Sequence, residues 1–400
     1  MKPMLKTAQT QKRTAHTIAA GLQNKFREHY AARARIYRAP GRVNLIGEHT
    51  DYNDGLVMPA AIDFYVWVGV SPRNDRRLLV YSENFSESIE IDLRKDKLRP
   101  RKHWSDYVAG VASMLERAQC HLQGANLLIH GDVPIGSGLS SSAAIEVAVG
   151  FALLENSGIS VHRLDLARIC QRAENEFVGA RVGIMDQFIA CYGHAGNALK
   201  LDCRSLEYDL LPLPGQVSLV ICNTMVKHEL AGGEYNTRRA ECEEGVRLLS
   251  RSLPNVGSLR DVSLADLERH ASGIPEVIYK RCRHVVTENA RVAEAADALE
   301  RGDLPTFGRL MADSHHSLRN DYQVSCSELD LMVDLAKAQP GVFGTRMTGG
   351  GFGGCTISLV VSESVGEFAQ NVSAGYERFA GFSPQIFASA AAEGACEIEA

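Results

Sequence analysis

The run GDVPIGSGLSSSAA, Gly131 to Ala144, joins an apolar strand-like stretch, Leu127 to Ile129, to an apolar helix-like one, Ala143 to Leu154. Gly136 and Gly138 permit positive φ and a close approach to an anion, while Ser140, Ser141 and Ser142 set hydroxyls and backbone N–H groups at a helix start. Unpaired donors and the positive end of the macrodipole stabilise a polyphosphate there without any charged side chain. The run lacks the Gly-Lys-Ser/Thr ending of a Walker loop, which argues against that class. Two readings of it stand: a phosphate loop, or a glycine–serine turn that merely begins a helix.

Four hundred residues exceed one compact core and imply two domains. A net charge of −5 gives no electrostatic case for nucleic acid or an anionic membrane, so neither is expected as a partner. The ten cysteines are scattered singly, without C-x-x-C pairs or zinc-ligand spacing, which fits reduced thiols in the cytoplasm. Lys2, Lys6, Lys12, Arg13 and Lys25 precede the first acidic residue, Glu28, and superficially suggest an import helix. Ile18, Leu22 and Phe26 instead recur as in an ordinary amphipathic first helix. No run of membrane length is present, and a soluble protein is expected.

Taken in order, Ile36 to Ala39 and Val43 to Ile46 read as strands broken by Pro40-Gly41, and Gly47 to Gly55 as a loop. Leu56 to Val70 reads as one strand, with Leu78 to Tyr81 pairing back across the turn at Ser71 to Asp75, and Ser88 to Leu93 as a half-exposed strand. Helices are expected over Asp106 to Arg117 and from His162 to Phe177, the latter capped by Ser160 and closed by Gly179. GIMDQF, Gly183 to Phe188, begins another element. The breakers at Leu211 to Gly215 mark a domain boundary before the strand Val217 to Cys222, giving domains 1–214 and 215–400. Helices follow at Tyr235 to Leu249, Pro275 to Glu300, Asp303 to Arg319 and Ser327 to Ala338, the last capped by Ser327. Strands at Thr345 to Met347 and Cys355 to Val361 flank the glycine-rich TGGGFGG, and a helix from Ser364 to Phe379 and a strand from Gln385 to Phe387 complete an α+β chain.

APGRVNLIGEHTDYNDG, Ala39 to Gly55, packs Arg42, Asn44, Glu48, His49 and Asp51 between apolar strands, where charge costs solvation unless it serves a ligand. Glu48, His49 and Asp51 supply the acceptors and donors that a hydroxyl-rich sugar needs. Arg42 suits charge stabilisation in a phosphoryl transfer; a surface arginine is the alternative. Asp186 is either an ordinary helix-start residue or a working carboxylate. Of Glu174 and Glu176, one belongs to a solvated face; if the loop holds Mg-ATP, Glu174 is the carboxylate the ion requires. His315 and His316, adjacent on a helix, point apart and do not read as a metal pair.

Together these pieces resemble the galactokinase family of the GHMP kinase superfamily. GRVNLIGEHTDY (Gly41 to Tyr52), PIGSGLSSSAA (Pro134 to Ala144) and MTGGGFGGC (Met347 to Cys355) are similar to its three motifs, with RAENEFVG, GIMDQF and SHHSLRNDYQVSCSELD as further matches. The resemblance implies a two-domain GHMP kinase fold: a mixed sheet with helices like ribosomal protein S5 domain 2, then a ferredoxin-like α/β sandwich with extra helices. It implies ATP-dependent phosphorylation of the anomeric hydroxyl of D-galactose, within the Leloir pathway of galactose catabolism, by a monomer that uses Mg²⁺.

Carried over residue by residue, Asp186 matches the catalytic aspartate and Arg42 the arginine beside it. Glu48, His49, Thr50, Asp51, Gly183 through its backbone, Asp186 and Tyr235 match sugar contacts. The run Gly136, Ser137, Gly138, Leu139, Ser140, Ser141 and Ser142 matches the triphosphate loop. Ser142 and Glu174 match the Mg²⁺ partners, with Ser141 the alternative to Ser142; Ser82, Trp104 and Tyr107 fall near the base. The family often has cysteine where Val182 stands, and Arg181 beside it could alter which sugars fit. Asp186 is either a general base or an orienter of the hydroxyl. A non-catalytic galactose and ATP sensor, and a kinase for N-acetylgalactosamine or another sugar, are the rival functions.

Overall fold

The computed structural model describes residues 8–94, 98–227 and 231–399. Helix α1 (Ala8–Tyr30) buries Leu22 and Phe26, as their spacing predicts. Lys2 and Lys6, which raised the import reading, lie outside the described residues. β1 (Arg35–Asn44) is a single strand where the sequence suggested two. Pro40 and Gly41 do not end it; they are absorbed by a register shift between Pro40 and Arg42, a bulge that re-aims the strand just before Arg42. The expected strand from Leu56 is instead two, β2 (Leu56–Val57) and β3 (Pro59–Arg73), because Met58 turns its backbone to Leu45 and Ile46.

β4 (Arg77–Ser82) does not pair back on β3. β6 (Gly124–Gly131) lies between them, antiparallel to β3 and parallel to β4, while β5 (Glu87–Asp92) pairs with β4. The physical reason is in the side chains. Leu127, Leu128 and Ile129 are apolar on both faces and need a central position, whereas β4 alternates buried and half-buried residues. One face of this sheet carries α2 (Ser105–Arg117), α3 (Ser141–Asn156), α4 (Arg163–Arg172) and α5 (Met185–Tyr192), of which α3 packs directly on β1 and β3. The cap of α4 is His162, which accepts from Leu164 N, rather than Ser160. Its last turns widen into a π-helical segment, Ala173–Val178, that ends at Gly179 as expected.

A three-stranded sheet follows, β2 with β7 (Asn197–Asp202) and β8 (Tyr208–Pro212), neither of the latter foreseen from sequence. β9 (Val217–Lys227) opens the next sheet. After it come α6 (Ala231–Leu249), α7 (Leu264–Arg269), α8 (Glu276–Glu300), α9 (Leu304–Ser317) and α10 (Ser327–Lys337). Cys326 is the cap residue of α10, and the Ser327 hydroxyl bonds Glu328 instead of capping. β10 (Val342–Thr348), β11 (Gly353–Val361), α11 (Val365–Ala380) and β12 (Gln385–Ser389) complete an antiparallel sheet of order β10-β11-β9-β12. β13 (Cys396–Ile398) then returns to pair with β1, at the edge of the six-stranded sheet β13-β1-β3-β6-β4-β5. Among the described residues no helix is long and apolar enough to cross a membrane.

Candidate active site

The loop between β6 and α3 forms one wall of a cavity of about 470 Å³. Gly136 and Gly138 take φ of 68° and 81°, and Ser140 is also left-handed at φ 57°. Gly136, Gly138, Ser140, Ser141 and Ser142 line the cavity at the α3 start. Ser137 and Leu139 do not: the Ser137 hydroxyl donates to Pro134 O at 2.7 Å, and the buried Leu139 accepts Arg42 N through its carbonyl at 3.1 Å. The glycine-rich turn after β10 supports the loop from beneath. A Cβ at Gly349, whose φ is +87°, would sit 2.8 Å from Gly138 O, so only glycine lets the two loops touch.

Arg42 and Asp186 meet across the cavity. Arg42 Nε and Nη2 each lie 2.9 Å from a different Asp186 oxygen, and Nη1 donates to Gly138 O at 2.6 Å. The Ser140 hydroxyl donates to Asp186 Oδ2 as well, rather than capping α3. Asp186 is therefore more than a helix-start residue: its carboxylate is held by two donors from two other elements, Arg42 Nη2 and the Ser140 hydroxyl, and by the ion pair to Arg42 Nε, while its side chain stays 21% exposed.

Glu48, His49, Asp51 and Tyr235 form the opposite wall. Glu48 is buried and accepts from Asn44 Nδ2, Thr348 Oγ1 and Gly349 N at 3.1, 3.2 and 2.7 Å, with the buried Arg346 at 3.5 Å. Burial, with Asp186 and Glu48 as charged neighbours, pushes Asp51 up to about 7. Burial also pulls His49 down to about 3, so its ring is neutral. Gly183 abuts Asp51 so closely that a Cβ would lie 2.1 Å from Oδ2. Thr50 does not reach the cavity; its buried hydroxyl is taken by Gly47 O and Leu56 O. Arg181 is not a wall residue either, being turned out to Glu243.

The π-helical turn directs Glu174 inward and Glu176 outward to Arg172. Gln187 Nε2 bridges Glu174 Oε2 at 2.7 Å and the fully buried Glu146 Oε2 at 3.0 Å. Burial, then the charge of Asp186, raises Glu174 to about 7, with the Ser142 hydroxyl bond opposing the rise. A buried carboxylate beside a hydroxyl is a donor set that fits a hard metal ion. Among the described residues no three or more His, Cys, Asp or Glu side chains converge on a metal site.

Family models match most of these segments. The galactokinase galactose-binding signature covers residues 24–72, the GHMP kinase N-terminal domain 106–194 and the GHMP kinase C-terminal domain 295–378. The galactokinase of Chloroflexus aggregans is 52% identical over 342 residues, 86% of this chain and 88% of that one. The galactokinase of a Roseiflexus species is 45% identical over 93% of this chain and 95% of its own. The chain belongs to the galactokinase family. A crystal structure of Lactococcus lactis galactokinase complexed with galactose superposes with a TM-score of 0.92 at 37% identity, covering 95% of this chain and all of that one. Methanococcus jannaschii mevalonate kinase, at 18% identity and a TM-score of 0.62, shares the fold.

For this galactokinase-family chain, Ser82, Trp104 and Tyr107 also line the cavity, as expected from sequence. Sequence reasoning missed Phe85, which is 47% exposed and stacks on Trp104 at 5.5 Å between ring centroids, nearly parallel. It also missed Asn84, Ile135, Asn236 and Gly350. Phe85 and Ile135 are exposed apolar residues in otherwise polar turns, the one signal that could have drawn attention to them.

Proposed function

We propose that this chain transfers the γ-phosphoryl group of ATP to the anomeric hydroxyl of D-galactose, giving galactose 1-phosphate and ADP. The observation that carries this is the Arg42–Asp186 pair, set between a glycine–serine helix start and a wall of sugar-compatible polar groups in one cavity. Asp186 Oδ accepts the sugar hydroxyl. Two donors and the Arg42 ion pair already on its carboxylate hold it in place, which supports orientation as its main task in a loose, positioning-dominated transfer. Arg42 lies within reach of both the carboxylate and the loop, where its fixed charge stabilises the phosphoryl oxygens. The backbone N–H groups at the start of α3 bind phosphate, and Glu48, His49, Asp51 and Tyr235 hold the sugar.

Ser142 and Glu174 are the residues that would hold Mg²⁺, and the hydroxyl bond between them favours Ser142 over Ser141. When bound, the ion neutralises charge on the phosphates. Trp104 and Phe85 offer a flat apolar surface for the base. The two-domain division near Gly215 is part of the same reading: β9 opens a new sheet directly after it, and the chain recrosses to the six-stranded sheet at Ala391, bridged to Ile62, and at β13.

The test is a panel of sugars assayed for ADP release with ATP and Mg²⁺. Galactose should have the highest kcat/KM. A preference for N-acetylgalactosamine would replace the substrate, and binding of galactose and ATP without ADP release would make the protein a sensor.

A further inference from the structure

His49 is joined to a buried chain of hydrogen-bonding groups that the transfer itself does not use. Its Nδ1 lies 2.8 Å from the Tyr52 hydroxyl, which lies 2.8 Å from the Tyr322 hydroxyl, which lies 3.1 Å from Cys242 Sγ. Among the described residues His49 Nε2 is buried without a well-formed hydrogen bond, the Gly350 backbone being the ring's other polar neighbour, on a residue that lines the cavity. The ring is locked by its neighbours, with Tyr322 and Tyr235 at 4.8 and 5.4 Å, and its backbone is fixed in the left-handed region at φ 62° by an Asn53 side chain bonded to its carbonyl.

A neutral imidazole carries one proton, and its position is set by what the other nitrogen meets. Each group has one proton to give, so bonds that form one continuous relay all point one way. They run either from His49 toward Cys242 or from Cys242 toward His49. The second order ends on the strongest acceptor, the bare imidazole nitrogen, and uses phenols as donors; the first ends on a thiol sulfur, a weak acceptor. His284, tilted against Tyr322 with ring centroids 4.6 Å apart, does not interfere, because both its nitrogens are engaged by Ser317 Oγ and Glu48 O.

We propose that Tyr52, backed by Tyr322 and Cys242, is a positioning residue that holds His49 as the Nε2–H tautomer. His49 thereby presents one fixed donor to a sugar oxygen, on the wall that also carries the carboxyl groups of Glu48 and Asp51. This rests on the sugar reading of that wall. It adds a specificity element: one ring oxygen or hydroxyl of the substrate is recognised as an acceptor.

Three measurements test it. In protein labelled with nitrogen-15 at histidine, the His49 ring should show a protonated Nε2 and a bare Nδ1; the reverse assignment overturns the proposal without any turnover being needed. In a panel pairing each deoxygalactose with its deoxyfluoro counterpart, one position should favour fluorine, which accepts but cannot donate, over hydrogen. Tyr52→Phe should erase that difference and raise the galactose KM about tenfold, with kcat and the ATP KM within about threefold. Tyr322→Phe should have a smaller effect, since the Tyr52 to His49 bond survives, and it supplies the comparison if Tyr52→Phe folds poorly. An unchanged KM and an unchanged fluoro-to-deoxy ratio in folded Tyr52→Phe would overturn the relay while leaving the kinase reading intact. Absence of galactose turnover in the unaltered protein would instead remove the kinase reading.

Discussion

Replacing Gly183 by alanine should disable the sugar wall without touching the nucleotide half of the site. The backbone at Gly183 lies outside the left-handed region, so alanine meets no conformational penalty there. The whole cost falls on Asp51, whose Oδ2, Cγ and Cβ lie 2.1, 2.3 and 2.8 Å from the position of the new methyl group. Carbon and oxygen come no closer than ~3.3 Å in unstrained contacts, so the carboxyl group must retreat by about 1 Å. A misplacement of that size in a reacting assembly costs about a hundredfold in rate, or about 2.7 kcal/mol of transition-state stabilisation. With ATP saturating and galactose varied in a coupled ADP assay, kcat/KM for galactose should fall by about that factor while the ATP KM stays within twofold. Overpacking should also lower stability by about 1–3 kcal/mol, and Asp51→Ala in the same chain should restore the melting temperature by removing the clash. Gly215→Ala, with nothing within 4 Å of its Cβ position, is the neutral control. Galactose kcat/KM within threefold of the parent in Gly183→Ala would refute the assignment of Asp51 to the sugar.

Asp186→Asn should abolish sugar phosphorylation while galactose and ATP binding remain measurable by calorimetry; near-normal turnover would contradict its role. Arg42→Lys loses the two-pronged contact to Asp186 and the bond to Gly138 O, and kcat should drop about 10²- to 10³-fold. Asp51 rises from 3.8 to about 7 on folding, and Glu174 rises to about 7 as well, so the folded state holds extra protons between these limits. The stability of the ligand-free protein should thus be greatest below pH 4 in this component and fall as pH rises to 7; Asp51→Asn should flatten the fall, seen by thermal melts across pH. Gly21→Ala, at an exposed position of α1 with nothing within 4 Å, should stabilise by about 1 kcal/mol in denaturant titration.

The site was largely legible because its chemistry is local in sequence. Glu48, His49 and Asp51 come from one loop, Ser140 to Ser142 from another, and Asp186 from a short helix start whose polar residue interrupts apolar neighbours. What escaped depended on contacts between distant segments. The position of β6 between β3 and β4 is decided by burial on both faces, which no window of sequence around β4 contains. β7 and β8 are short strands, β8 with exposed positions, and β2 beside β7 has only two residues. Ser140 reads as a cap or phosphate ligand until its left-handed backbone swings the hydroxyl to a carboxylate 46 positions away. Glu146 and Gln187 could not be linked to Glu174 in advance, since only the fold brings the three together.

β1, which carries Arg42 near its end, has β13 as its outer neighbour. During synthesis, then, the strand that delivers a principal charge of the site is laid down near the start, yet one of its edges stays open until residues 396–398 have left the ribosome. Bonds from Arg35 to Glu397 clamp that late strand once it arrives. A nascent chain of this kind passes through a long interval with an unsealed edge, in which a chaperone, or another copy stalled at the same point, competes with its own last strand for the seat.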